Sequence, residues 1–226
     1  MVVKEVLVSA RVHQRLTADG LRSAMSDLWA RTCQHCGRVL GEEPPSLAVD
    51  DVGEFIIVSL HHQWCRLPGW TTRRQVPDEV AHRSFSCRAV SLPYACGPVP
   101  ALIINPGLEM VFMNSDPHGR WRVEHETAFE RLGLARWFDA TATDRSPVSG
   151  AVARLTARTV TVAMINPPML SFQARVQPSL HALIEQQSGL RLIVTHALDP
   201  RDLSTWHLLD WLRPQGRALS GWVELD

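Results

Sequence analysis

Two short clusters of metal-binding side-chain types, with 24 residues (37–60) between Cys36 and His61, constrain this chain more than any other feature: Cys33-Gln-His-Cys36-Gly37 and His61-His62-Gln-Trp-Cys65. A tetrahedral ion takes four thiolate or imidazole ligands, and a Cys-x2-Cys turn offers two thiolates from one tight bend. Gly37 after the second thiolate lets the backbone take a positive φ without a Cβ clash. His62-x2-Cys65 repeats the spacing of the first half, and His61-x3-Cys65 is a geometric alternative. The expected ligand set is Cys33, Cys36, His62 and Cys65, with His61 as substitute for His62. A site filled by three thiolates and an imidazole leaves no position for water or substrate, so the expected metal is a structural zinc. One Cys-x2-Cys alone would also fit a redox dithiol. The second half is what favours the metal.

In its broad spacing, segment 33–65 resembles zinc-ribbon and treble-clef knuckles. The resemblance stops at the ends of that segment. It implies a local metal-held fold and carries no activity with it.

The rest of the chain reads as short elements. Thirteen Gly and fifteen Pro argue for many turns rather than a helical bundle. Val2, Val3, Val6, Leu7, Val8 and Val12 predict an opening strand over residues 2–12. Thr17 is the expected cap of a helix carrying Leu21, Met25, Leu28 and Trp29 to about residue 31. EFIIVSL (54–60) predicts a strand that delivers the second metal half, followed by a polar surface excursion over 66–86. Strands are predicted at 87–92 and 101–104, then a hairpin of 108–113 with 121–123 across the NSDPHG turn. A helix is predicted over 125–137, ATATDRSP is a linker candidate, and Ser146-Pro147 looks like a helix start. Strands at 159–165 and 170–176, a helix over 179–187 ended by Gly189, and a strand at 190–196 follow. A last helix opens at Asp199-Pro200, and a terminal strand lies near Trp222. ALIINPGLEMVFM (101–113) and VAMINPPMLSFQA (162–174) share an Ile-Asn-Pro after an apolar strand, which reads as coincidence between two similar hairpins or, as the alternative, a duplicated β-turn-β unit.

These elements predict an α+β fold: a mixed or antiparallel sheet with flanking helices and an N-terminal zinc-knuckle insertion. An N-terminal region (1–140) and a C-terminal region (146–226) are expected to pack on one core as one globular unit.

Lys plus Arg and Asp plus Glu number 23 each, for a formal net charge of zero, which removes the overall basic bias expected of a nucleic-acid binder. MVVKEVLVSARVHQR lacks the pattern of a secretory signal, and no apolar run is long enough to span a membrane. Five Cys, an odd number, fit a reducing compartment, and the cytoplasm is the expected location.

No phosphate-binding Gly-rich loop, dinucleotide fingerprint, nucleophile elbow or H-E-x-x-H motif occurs. Asp116, His118 and His125 (with Glu126) form a candidate acid-base cluster, and Asp139, Asp144, His196 and Asp199 are further titratable groups. Cys87 and Cys96 read as ordinary thiols. Trp64, Arg66, Trp70, Arg73 and Arg74 interleave aromatic and basic side chains beside the metal segment, a pattern able to stack on bases or anchor a protein interface. The expected function is recognition of another protein by a zinc-stabilised regulatory or binding protein. The alternatives are a nucleic-acid binder using that Trp/Arg surface, and a small hydrolase or nuclease with its active site outside the zinc.

Overall fold

The computed structural model describes residues 5–28, 31–53, 55–72, 82–84, 86–94, 96–137, 145–164, 170–201 and 218–226. The fold is α+β, and the chain divides into two compact units, one of residues 1–77 with 107–125 and the other of 78–106 with 126–226. No described helix is long and apolar enough to cross a membrane. Elements are numbered in chain order.

The first unit is a helix laid on a five-stranded sheet. Helix α1 (Ala10–Asp27) starts where the Oγ of Ser9 accepts the N–H of Val12 at 3.3 Å. The strand expected over 2–12 is therefore corrected: in its described part only Leu7 bridges, to Ser46. Val12, Leu16, Gly20 and Ala24 recur every four residues and are buried, so the apolar stripe read as beginning after Thr17 extends upstream of it. Thr17 still acts as a cap. It interrupts the helix at φ 62 and its Oγ1 accepts the Gly20 N–H at 3.5 Å, starting the second stretch. Gly20 allows a close approach, since a Cβ there would sit a tight 3.2 Å from Trp121 Cβ.

Under the helix, β1 (Ser46–Asp51) pairs antiparallel with β2 (Ile56–His61), with Ser46 opposite His61. On its other side β1 runs parallel to β3 (Gly69–Thr72), a strand inside the stretch expected to be a surface excursion. β2 continues to β7 (Met110–Ser115), which forms the expected hairpin with β8 (Trp121–Val123). The sheet order is β3-β1-β2-β7-β8. Leu47, Val49, Ile56, Val58, Val111 and Met113 meet Val12, Leu16, Ala24 and Leu28 in one apolar core that also contains Cys33. That core anchors the site.

The second unit contains two sheets. β5 (Cys87–Tyr94) and β6 (Gly97–Ile104) form a hairpin whose strands run beyond the expected 87–92 and 101–104, and β6 pairs in parallel with β13 (Gly189–Val194). β14 (Leu219–Glu224) and the two-residue β9 (Ala135–Arg136) complete the order β5-β6-β13-β14-β9. The other sheet has the order β10-β11-β12-β4, from Ala151–Leu155, Thr159–Met164, Leu170–Arg175 and His82–Ser84. Helix α3 (Pro178–Gln187) buries Leu180 and Ile184.

Several expectations change here. The helix start at Ser146-Pro147 is instead extended chain, because Pro147 bridges Trp222 and the Val148 N–H is donated to the Trp222 carbonyl at 2.8 Å. The helix expected over 125–137 is α2 (His125–Glu130) alone; Gly133, at φ 96, turns the chain into β9. Ser188, not Gly189, takes the left-handed position that ends α3. Gly189 opens β13, where a Cβ would stand 2.6 Å from the Val223 carbonyl oxygen. The duplicated unit is also corrected: β11 and β12 pair with each other, whereas β6 and β7 belong to different sheets. The helix expected after Asp199-Pro200 and the ATATDR part of the linker candidate lie largely outside the described residues.

Candidate metal centre

Two loops meet beside the end of β2. The first is a tight knuckle over 31–40, closed by the bridge of Thr32 with Val39 and by the Leu40 N–H donated to the Arg31 carbonyl at 3.0 Å. Inside it the Cys33 N–H is donated to the Arg38 carbonyl and the Gly37 N–H to the Cys33 carbonyl, both at 2.8 Å. Gly37 has a φ of 69, the conformation that a side chain would oppose. The Gln34 N–H, donated to the Leu60 carbonyl at 3.1 Å, ties the knuckle to β2. The second loop leaves β2 directly and turns at once, with the N–H groups of Cys65 and Arg66 both donated to the His62 carbonyl.

The two turns bring Cys33, Cys36, His62 and Cys65 together, with one ligand atom of each lying within 4.8 Å of all the others. Such a Cys3His group could hold a metal ion. Nδ1 of His62 faces the sulfurs, 3.5 Å from Cys36 Sγ and 3.8 Å from Cys65 Sγ. Its Nε2 lies 2.9 Å from the Val39 carbonyl oxygen, which can only accept, so Nε2 carries the proton and the Nδ1 lone pair is left for a cation. His61 does not reach the cluster. It belongs to β2, on the same face as Ser59, and its Nε2 bonds the Ser59 hydroxyl at 2.9 Å in a buried setting.

The thiols are unlike one another. Burial pushes the Cys36 thiol up, but the Arg38 N–H and the bonds to Cys33, Cys65 and His62 outweigh it and bring the thiol down to about 7. Burial, together with the neighbouring Cys36 and Cys33 sulfurs, pushes Cys65 up to about 12. A cation bound as a three-thiolate complex must therefore displace the Cys65 proton at any neutral pH, and below pH 7 part of a Cys36 proton as well. From these two thiols, the apparent metal affinity is expected to rise about tenfold for each unit that pH rises above 7, and to fall more steeply than that for each unit that pH drops below 7. Competition titrations with a chelator at several pH values measure that slope; a pH-independent affinity contradicts it.

The residues beside the cluster divide sharply. Trp64 lies parallel to His62, ring centres 4.4 Å apart at 11°, yet it is 71% exposed. Arg66 is committed inward: its guanidinium donates twice to Asp50, at 2.7 and 2.8 Å, and the Asp50 side chain is fully buried. Trp70 is buried too, donates to Asp51 at 3.2 Å and lies beneath the guanidinium of Arg15. Of the five residues expected to form a Trp/Arg surface, Trp64 alone among those described is presented to solvent; Arg73 and Arg74 lie outside the described residues. Val39 carries no signal in the sequence, since only the folded knuckle brings its carbonyl against the candidate ligand His62.

Among the described residues, the acid-base candidates form no such group. Asp116 fastens the β7–β8 turn: Oδ1 accepts the N–H groups of Arg120 and His118 at 2.9 Å each, and Oδ2 accepts from Arg120 Nε at 2.9 Å. The Arg120 N–H first, then its guanidinium and the His118 N–H, hold this carboxyl below the usual carboxylate range. His118 is exposed, and the His125 side chain lies outside the described residues, as do Asp139 and Asp144. Asp199 is paired with Arg201 at 2.8 Å. Cys87 is buried and donates to the Gln173 carbonyl, whereas Cys96 is exposed.

Burial draws His196 down to about 4, and both ring nitrogens are shielded from solvent. The unfolded chain then binds a proton that the folded one refuses. Stability from this ring is complete above about pH 6.5 and is lost as pH falls toward 4, by up to about 3 kcal/mol. Urea unfolding at pH 7 and at about pH 4.5 tests this, with a smaller acid loss expected in His196→Gln. An equal loss in both proteins contradicts the assignment.

Compared with family models, curated proteins and solved structures, the chain matches none.

Proposed function

We propose that this chain is a zinc-stabilised protein-recognition module of the cytoplasm, in which a knuckle of the ribbon or treble-clef kind holds a surface rather than a reaction. The observation that carries the reading is the convergence of Cys33, Cys36, His62 and Cys65 with Trp64 stacked on one of them. Three thiolates and an imidazole are soft to borderline donors, a set that favours zinc over the oxygen-seeking cations. All four tetrahedral positions are supplied by the protein, so a substrate would have to displace a ligand. That supports a structural role. Three thiolates also require a reducing environment, which supports the cytoplasm. Nucleic acid is the less favoured partner, because Arg66 spends its charge on Asp50 and the chain as a whole has no net charge.

Cobalt substitution tests the closed site. Cobalt(II) in place of zinc is expected to give the visible bands of a tetrahedral ion and a sulfur-to-cobalt charge-transfer band. Adding azide should leave that spectrum unchanged. A spectrum that shifts with azide would indicate an open position and return the centre to the catalytic class.

A further inference from the structure

We infer that the face formed over the metal centre by Val39, Trp64 and Leu67 docks a basic segment of a partner protein, with an arginine or lysine stacked on the outer face of Trp64. This rests on the protein-recognition reading above and supplies the chemistry of the partner. Val39, Trp64 and Leu67 are 72%, 71% and 76% exposed and are the large apolar side chains most open to solvent among the described residues. All three sit on the two loops of one site. Val39 and Trp64 flank the same imidazole, one through its carbonyl and one through its ring. Leu67 follows the turn that carries Cys65. Apolar side chains exposed on the loops of one site mark an interaction surface.

The face is also preorganised. Stacking on His62 fixes one side of the indole, so little side-chain freedom remains to be lost when a partner covers the other. Charge decides what that partner is. Three thiolates around a divalent ion leave the centre with one net negative charge. The side-chain amide of Gln63 donates to the Pro44 carbonyl at 3.1 Å, which ties the exposed Glu42-Glu43 stretch to the turn carrying Trp64. Arg66, in the same turn, is neutralised by Asp50. Arg31 and Arg38 are exposed on the knuckle and balance Glu42 and Glu43, so the net charge of the face is the single negative charge of the filled centre. An indole face is the best aromatic acceptor for a cation. A segment alternating basic and apolar side chains satisfies the ring, the glutamates and the two aliphatic groups together. An acidic segment or a phosphate backbone meets repulsion.

The test uses the zinc-loaded full chain and four labelled probes read by fluorescence anisotropy. Three are peptides that alternate leucine with arginine, with glutamate or with serine, and the fourth is single-stranded oligouridylate. The arginine peptide is expected to bind at least tenfold more tightly than either other peptide. Trp64→Ala should lose about tenfold of that binding with metal content unchanged. Should Trp64→Ala loosen the metal, Glu42→Lys combined with Glu43→Lys keeps the test open, since it should weaken the arginine peptide and strengthen the glutamate one. Equal binding of all three peptides would overturn the basic partner while leaving protein recognition standing. Binding of oligouridylate alone, weakening with salt, would overturn both, and no binding of any probe would overturn the basic-segment inference.

Discussion

Replacing Cys33 by serine is expected to abolish stoichiometric metal binding and to destabilise the first unit by about 3 kcal/mol or more. Cys33 is the most buried of the four candidate ligands and belongs to the same apolar core as Val12, Leu16 and Leu47. The substitution acts twice. It removes a thiolate from the centre, and it leaves a hydroxyl in an apolar core, where an unsatisfied polar group alone costs about 1–3 kcal/mol. Zinc binding in small modules reaches roughly 10–16 kcal/mol, all of it available as folding energy where nothing else orders the chain. Here a sheet and a helix already order most of the unit, so the loss falls chiefly on 31–40 and 62–67. At about 4–8 °C per kcal/mol for a unit of this size, the melting temperature should drop by roughly 12–24 °C. Cys96→Ser, at an exposed position away from the cluster, is the control and should change neither metal content nor melting. Zinc content equal in both variants would remove Cys33 from the ligand set.

The second large effect is expected at Arg66. Arg66→Met leaves the buried Asp50 carboxylate without its bidentate partner. Removing one member of a buried ion pair costs about 3–5 kcal/mol, because the remaining charge stays out of water. Arg66 directly follows Cys65, so metal affinity should also fall, by roughly tenfold, as for other groups that orient ligands from behind. Adding Asp50→Asn to Arg66→Met should recover part of the stability, since the buried carboxylate charge is then removed. Denaturant unfolding of the two single variants and the double variant measures the coupling. Additive losses would mean that Arg66 and Asp50 do not depend on each other.

That pair shows where the sequence stops being informative. The convergence of Cys33, Cys36, His62 and Cys65 is readable because ligand spacing within each turn is local, and metal geometry allows few alternatives. The choice of His62 over His61 is not readable, because it depends on which face of β2 each ring occupies and on where that strand ends. Arg66 and Trp70 look like surface residues in the sequence. Their true partners, Asp50 and Asp51, come from β1, and the parallel pairing of β1 with β3 is a long-range event. The same holds for 101–113. Read beside 162–174 it suggests a repeated β-turn-β unit, yet β6 joins β13 while β7 joins β2 and, as expected, β8. The Val-rich opening failed for a local reason. Valines favour a strand, but the Ser9 cap and the four-residue stripe from Val12 favoured a helix. The α+β class survived these errors, since most strands and α3 carry a strong local period.

The central claim is that these four side chains hold one zinc ion per chain, and native mass spectrometry of protein purified without a metal-affinity tag tests it most directly. The expected spectrum shows the folded chain heavier by one zinc, with that mass lost in Cys33→Ser and retained in Cys96→Ser. A folded chain that carries no metal, and takes up none when zinc is supplied under reducing conditions, would contradict the account.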